Sequence, residues 1–395
     1  CEIYNPDSLP VGIDAKKVLC NINTKNAGYV GIKSMTSDSL KYFSSTDSTD
    51  FSVPRDFYVY SNSGAGHRKY TIRVNVHKEQ ADSFVWKRMG VDANLAKLKG
   101  MKSAATEGHL FVFGSNGSNT LVYSSENGMA WTDITANLGV ELSADAYKSI
   151  VTTNGYVYLY DNGQIMKTAD GETWVVAGRA QLRQLVAASR FKLYAYDADG
   201  RLVESKDDGN TWSLSVIDDA QDLLPDQDIT FVSAPISTND DTDRVVMVGN
   251  RSAEDYPSDI TPLIWGKIDE GAEFSENQPW TYYNVSSDNK YKAPRLRNIQ
   301  TVGYDNCILA VGGESIGGTH HGAFDNFYRS ADGGITWQKD SVVTIPSGIT
   351  VNQNSFAITV DKDNFIWFVC GGSGQVWRGR TNRLGWIKED NVFIE

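Results

Sequence analysis

An octapeptide recurs along this 395-residue chain and restricts the folds that can hold it. Ser205–Trp212 reads S-K-D-D-G-N-T-W and Ser330–Trp337 reads S-A-D-G-G-I-T-W, both Ser-x-Asp-x-Gly-x-Thr-Trp. Two looser copies come earlier. Ser124–Trp131 reads S-S-E-N-G-M-A-W, with Glu126 at the Asp position. Lys167–Trp174 reads K-T-A-D-G-E-T-W, with Ala169 at the Asp position and Asp170 one place later. Each copy lies between two β-type runs, so it is expected to be a hairpin turn. Asp and Ser oxygens accept backbone N–H groups inside such a turn. Gly supplies a positive φ, and Trp spreads apolar area over a neighbouring hairpin. The structural set read this way is Ser124, Glu126, Gly128, Trp131, Asp170, Gly171, Trp174, Ser205, Asp207, Gly209, Trp212, Ser330, Asp332, Gly334 and Trp337. A turn that staples itself says much about fold and little about chemistry.

From about residue 85 a larger unit repeats: three β-runs, a turn, and a fourth run that usually opens with Trp. The second unit has Lys148–Thr152, Tyr156–Tyr160, Gln164–Lys167 and Trp174–Val176. The fourth has Ile229–Val232, Val245–Gly249, Leu263–Lys267 and Trp280–Asn284, and its last turn, Asp269–Gln278, has lost the octapeptide. The sixth has Phe365–Cys370, Gln375–Arg380 and a final run from Trp386. Units of roughly 40–65 residues match the blade of a β-propeller. Phe84-Val85-Trp86 looks like a fourth run without its first three. It pairs with the last blade and closes the ring, or is linker, or is the remnant of a further blade. Residues 1–80 carry no octapeptide. Tyr70–Val76 alternates strictly, and Val18–Ile22, Tyr29–Ile32, Leu40–Phe43, Phe51–Val53 and Phe57–Tyr60 are further short runs, with Ser61–His67 as a hairpin loop. The prediction is an all-β chain: a small immunoglobulin-like β-sandwich over 1–80, then a propeller over 85–395 with six blades, seven being the alternative.

The octapeptide resembles the Asp-box, or bacterial neuraminidase repeat, of sialidase-like β-propellers, and this likeness spans about three quarters of the chain. Ala65–Val74, A-G-H-R-K-Y-T-I-R-V, resembles the last hairpin of cadherin-like sandwich domains on bacterial surface proteins. With Ile3–Pro10 and Gly374–Trp386, the layout resembles a Bacteroidetes family of surface lipoproteins. That resemblance implies an extracytoplasmic protein displayed at the outer membrane, and no activity comes with it. It also places Cys1 inside a domain whose first strand lies upstream, with the lipid-bearing Cys further upstream still. Taken alone, Cys1 reads either as a lipidated first residue or as a chain boundary.

The net charge of −12 argues against nucleic-acid binding and against electrostatic docking on anionic lipid. No run of eighteen apolar residues spans a membrane, so membrane attachment is expected only through a lipid anchor. Four Cys are too few for a disulfide scaffold, and Cys307 and Cys370 read as small buried thiols. The sialidase resemblance implies three Arg on a substrate carboxylate, a Tyr–Glu nucleophile pair and an acidic Asp, with the first Arg in a Phe/Tyr-Arg-Ile-Pro motif. That motif is absent; Val53-Pro54-Arg55 and Ala293-Pro294-Arg295 match neither in order nor in place. Arg179, Arg183, Arg190, Arg244, Arg251, Arg295, Arg297 and Arg329 offer cations, read here as surface salt-bridging groups, and no triad emerges from them. His320 and His321, adjacent in an extended segment, point to opposite sides and make a poor metal pair. The acidic turns Asp197–Gly200, Asn239–Asp243 and Asp361–Asn364 read as turns between first and second runs; they lack calcium-loop spacing. No cofactor and no metal is predicted, calcium being the one ion whose chemistry those turns suit.

Topology narrows the search. In a four-stranded blade the first and third turns share one face, and the loops between second and third strands share the other. The octapeptides mark the first face as structural. The second carries two long loops, Asn250–Pro262 and Gly312–Asn326, on adjacent blades. They hold the predicted ligand residues Arg251, Tyr256, Glu314, His320, His321 and Phe324. The expectation is a monomeric binding protein without catalysis, its partner a glycan or a surface protein. A divergent glycoside hydrolase of sialidase-like fold and an envelope scaffold are the alternatives.

Overall fold

The structure, a computed structural model, describes every residue except 7, 26, 79, 81–82, 272–277, 284–288, 318–319 and 383–395, and the side chain of Asp240. The chain forms two compact units, Cys1–Val85 with Thr381–Glu395, and Trp86–Arg380.

In the first unit β1 (Glu2–Tyr4), β2 (Val30–Lys33), β3 (Leu40–Tyr42), β4 (Arg55–Tyr60) and β5 (His67–Arg73) form one sheet in the order β1-β5-β4-β2-β3. β1 lies parallel to β5, and residues 61–66 close the β4–β5 hairpin. Phe43 and Phe51 pack with Val30 and Phe57 as a small core, against which Val18, Cys20 and Ile22 are half-buried. The runs expected at 18–22 and 51–53 are not strands; Val18 makes an isolated bridge to Thr49, and the Phe51 N–H donates to Ala15 O. The two-sheet sandwich expectation is therefore corrected to one sheet with an irregular cover among the described residues. The cause is local. Ser44 with Thr46, and Asp50 with the Ser52 N–H, hydrogen-bond within the Ser/Thr/Asp-rich stretch and compete with a ladder.

The second unit contains six four-stranded sheets among the described residues. The first runs from Gly100–Thr106 to Thr132–Asp133, the second from Ile150–Thr153 to Val175–Arg179, and the third from Leu182–Ala188 to Ser213–Leu214. The fourth runs from Gln227–Ile236 to Thr281–Tyr282, and the fifth from Gln300–Tyr304 to Gln338–Lys339. The sixth joins Phe356–Val360, Ile366–Cys370 and Gln375–Thr381 to β6 (Phe84–Val91). The first strand of each sheet contacts that of the next, and Phe356–Val360 returns to Gly100–Thr106. Trp386, expected to open the last outer strand, lies outside the described residues; β6 holds that place instead. Trp86 secures it, with its indole N–H on Thr344 O and its ring stacked 6.3 Å from Phe327.

Burial follows strand order. Second strands such as His109–Ser115 and Ile366–Cys370 are buried almost throughout, because neighbouring sheets cover both their faces. Outer strands such as Thr132–Asp133 and Gln338–Lys339 are two exposed residues long. Side chains interleave between neighbouring sheets: Phe111, Phe113 and Val122 meet Val157, Leu159 and Met166 between the first and second. Leu110, Val112 and Tyr123 meet Trp367, Val369 and Val376 between the sixth and the first.

The octapeptides are third turns, as expected. In the full copies Asp332 Oδ1 accepts the Ile335 and Thr336 N–H groups at 3.1 and 2.9 Å, and its Oδ2 takes the Thr336 hydroxyl at 2.6 Å. Asp207 treats Thr211 the same way. Ser205 and Ser330 accept the Gly209 and Gly334 N–H groups, and the Trp212 and Trp337 indoles donate to the carbonyls of those glycines. The looser copies follow a different register. In the second, Thr168 takes the Ser role beside Asp170, Gly171 and Trp174. In the first, Ser125 and Asn127 replace Ser124 and Glu126: Ser125 Oγ accepts the Gly128 N–H at 2.8 Å, and Asn127 Oδ1 accepts those of Met129 and Ala130. Glu126 is exposed. In both, the glycine whose N–H the hydroxyl accepts directly follows the Asp or Asn, so the accepting hydroxyl stands three residues before it instead of four.

Candidate functional site

The long loops 251–262 and 312–327 both join second to third strands, of the fourth and fifth sheets. They converge on Arg295, which is 1% exposed. Its guanidinium donates to the carbonyls of Arg251 (2.7 Å), Asp259 (2.9 Å) and Tyr256 (3.1 Å). Burial pulls its pKa down, and Asp259 works against that. Arg251 grips Asp259 with Nε and Nη2 at 2.8 and 3.1 Å and lies 3.5 Å over the Tyr256 ring. The second loop is laced to the same segment, with Ile316 N–H on Arg295 O and Arg297 N–H on Glu314 O. At Gly317 (φ +86) the two loops touch, and an added Cβ would stand 3.0 Å from Asp259 O. The result is one rigid platform built on a buried cation.

The six sequence-predicted ligand residues divide on this platform. Arg251 and Tyr256 are spent on each other and on Asp259. His321 Nδ1 sits 2.8 Å from the Tyr328 hydroxyl, and Phe324 packs edge-on against Phe356 and Phe368. His320 is exposed, and Glu314, 54% exposed in its side chain, lies 3.7 Å from Arg297. Sequence reasoning missed Arg295 as the organiser; the residues before it, Ala293-Pro294, gave no signal beyond an irregular backbone.

Other cations have partners too. Arg190 pairs with buried Asp243, and Arg329 donates to Cys307 Sγ at 3.0 Å. Cys307 is thus half-buried and hydrogen-bonded, in place of the buried thiol expected, while Cys370 is fully buried and its thiol is pushed up to about 12 by that burial. The Asp197–Gly200 turn joins second to third strands, not first to second. Its Asp197 accepts the Asp199 and Arg201 N–H groups, and Asp361 accepts those of Asp363 and Phe365. Among the described residues no group of three or more His, Cys, Asp or Glu is placed to hold a metal ion.

At the axis the first strands enclose a cavity of about 290 Å³. Polar side chains cross near their starts. Lys102 Nζ donates to Ile229 O at 2.7 Å and Lys148 O at 3.1 Å, which links the first sheet to the fourth and to the entry of the second. Burial pushes this ammonium down to about 8, opposed by Asp228 and aided by Lys148. Gln300 bonds Phe356 O and the Ile358 N–H.

Residues 80–389 match the DUF6242 beta propeller domain, and residues 1–74 match the DUF6242 N-terminal domain. The chain belongs to the DUF6242 family. No curated protein matches it. Among solved structures, this DUF6242 chain is similar to a Trichoderma reesei Carbohydrate-Active Enzymes Family AA12 protein, with 12% identity and TM-score 0.44 over 76% of this chain and 97% of that one. It is also similar to a Penicillium chrysogenum alpha-L-arabinanase complexed with arabinobiose, at 14% identity and TM-score 0.41 over 76% and 98%. A third is the endo-arabinase from Bacteroides thetaiotaomicron, at 9% identity and TM-score 0.35 over 77% and 99%.

Proposed function

We propose that this DUF6242 protein is a six-bladed propeller that binds a glycan without turning it over, on the platform of loops 251–262 and 312–327. The observation that carries this reading is Arg295, whose guanidinium holds the first loop and whose carbonyl takes the Ile316 N–H of the second, with Glu254, Asp255, Glu314 and His320 left exposed on a preorganised surface. Carboxylates and imidazole on a rigid support suit the hydroxyls of a sugar. Asp259, the best-held carboxylate of the first loop, is neutralised by Arg251, which favours binding over acid catalysis. The protein works outside the cytoplasm, on a lipid anchor; the stretches Ile3–Pro10 and Gly374–Trp386 support that placement.

A glycan array with the whole chain, run beside a glycosidase panel, tests this. The expected result is retention of one glycan class with no cleavage, weakened several-fold by Glu314→Ala and by His320→Ala at unchanged melting temperature. Cleavage of a retained glycan, or retention indifferent to both changes, refutes it.

A further inference from the structure

A second open space of the propeller unit lies on the other face. A cavity of about 580 Å³ runs between the fourth and fifth sheets, walled by Val232–Ser237 and Arg244 on one side and Gly303–Ile308 on the other. The fifth-sheet octapeptide contributes Ser330, Ala331 and Gly333. This cavity shares Val232, Ser233 and Gly303 with the axial one. Its walls are the ends of first strands, the starts of second strands and a third turn. It therefore opens on the face opposite the two long loops.

Arg244 stands in this wall. Its Nη1 donates to Asp332 O at a marginal 3.4 Å, and among the described residues it makes no ion pair. The guanidinium rests on Gly333 (φ +75), where an added Cβ would lie 2.3 Å from Nη1. The third-sheet octapeptide shows what Gly333 leaves out. The residue after its Asp is Asp208 (φ +58), not Gly. Asp208 holds Lys167 of the preceding sheet at 2.7 Å and the Tyr158 hydroxyl at 2.8 Å. At the matching place in the fifth sheet there is no carboxylate, and the preceding sheet's cation faces a cavity instead. Among the described residues the lining holds one acid, Asp305, which lies within electrostatic reach of Arg329. Ser233, Ser237, Asn306 and Asn364 complete a lining of hydroxyls and amides. A planar guanidinium favours a carboxylate, and the neighbouring groups favour hydroxyls.

We propose that this groove is a second, separate ligand site, for a small hydroxylated carboxylate of the uronic-acid kind, with Arg244 binding the carboxylate. Calorimetric titration of the full chain with D-glucuronate and with D-glucose tests it. Saturable binding of glucuronate, and none of glucose, is expected. Arg244→Gln should weaken glucuronate by about tenfold or more. Gly333→Asp should abolish it, because the new carboxylate occupies Arg244 in a left-handed conformation that Asp208 already tolerates. Should Gly333→Asp fail to fold, Arg244→Gln alone decides. Glu314→Ala, on the opposite face, should leave glucuronate affinity unchanged, so this site and the glycan platform fail or stand independently. Absence of glucuronate binding, equal binding of glucose, an Arg244→Gln affinity within about twofold of wild type, or loss of glucuronate in Glu314→Ala each overturns the proposal.

Discussion

Replacing Arg295 by Ala tests the physics of the loop platform directly. The wild-type guanidinium satisfies three carbonyls, those of Arg251, Tyr256 and Asp259, from a position 1% exposed. Hydrogen bonds to a charged donor contribute about 1.5–3 kcal/mol each, and a buried acceptor left unpaired costs about 1–3 kcal/mol. The three residues that own these carbonyls are themselves half-buried, so water can reach part of what the side chain vacates. Two effects then remain: incomplete rehydration of the carbonyls, and a cavity the size of the lost side chain. Together they place the expected loss near about 3–5 kcal/mol, the upper range for one substitution. Urea unfolding followed by tryptophan fluorescence measures it as a lower midpoint at unchanged slope. Limited proteolysis should find new cuts within 251–262, since that loop loses its anchor. Arg295→Lys, with one ammonium for three carbonyls, should fall between. An Ala variant within about 1 kcal/mol of wild type, with the loop equally resistant, would refute the clamp.

Three further outcomes are expected. Asp332→Asn should lower stability at neutral pH yet flatten the acid limb. Burial disfavours the Asp332 carboxylate, but bonds from Thr336, Ser330 and Ile335 outweigh it and hold its pKa below the ordinary 3.8. Its stabilisation is complete above 3.8 and is lost as pH falls through the lower folded value, which an acid titration of both proteins reads out. Lys102→Met should remove a rise in stability between pH about 8 and 10.5: in that window the unfolded chain binds the proton and the folded chain does not, so wild-type stability climbs with pH. Denaturant midpoints across that range, compared between the two proteins, check the sign. Trp86→Ala should loosen the sixth sheet, since it removes the bond to Thr344 O and the stacking on Phe327. Faster amide exchange confined to β6 and Gln375–Thr381 is the readout.

The full octapeptides were legible because their bonds join residues within four positions of one another, as Ser205 to Gly209 and Asp207 to Thr211 do. The degenerate copies misled by one residue. Aligning on Trp131 put Ser124 and Glu126 where geometry puts Ser125 and Asn127, since Gly128, whose N–H the Ser125 hydroxyl accepts, directly follows Asn127. The long loops could be assigned to one face from strand order alone. What each side chain on them does could not. Tyr256 and Arg251 looked like ligand groups in sequence, yet Arg251 is spent on Asp259 and lies over the Tyr256 ring, and His321 and Phe324 turn toward Tyr328 and Phe356. Arg295 and Arg244 looked alike among the cations; one became a buried strut and the other lines a cavity.

The sequence by itself determined the repeating hairpins and the all-β class. These depend on interactions a few residues apart and on short β-type runs between turn residues, both of which a chain encodes locally. The tertiary structure alone decided that β6 completes the sixth sheet from the opposite end of the propeller unit. It also decided that Lys102 crosses to Ile229 O, 127 residues away, and that Gly333 stands against the Arg244 guanidinium. Such pairings join distant segments whose meeting is set by how the sheets pack around the axis. No local pattern marks which cation finds a carboxylate and which is left facing open space.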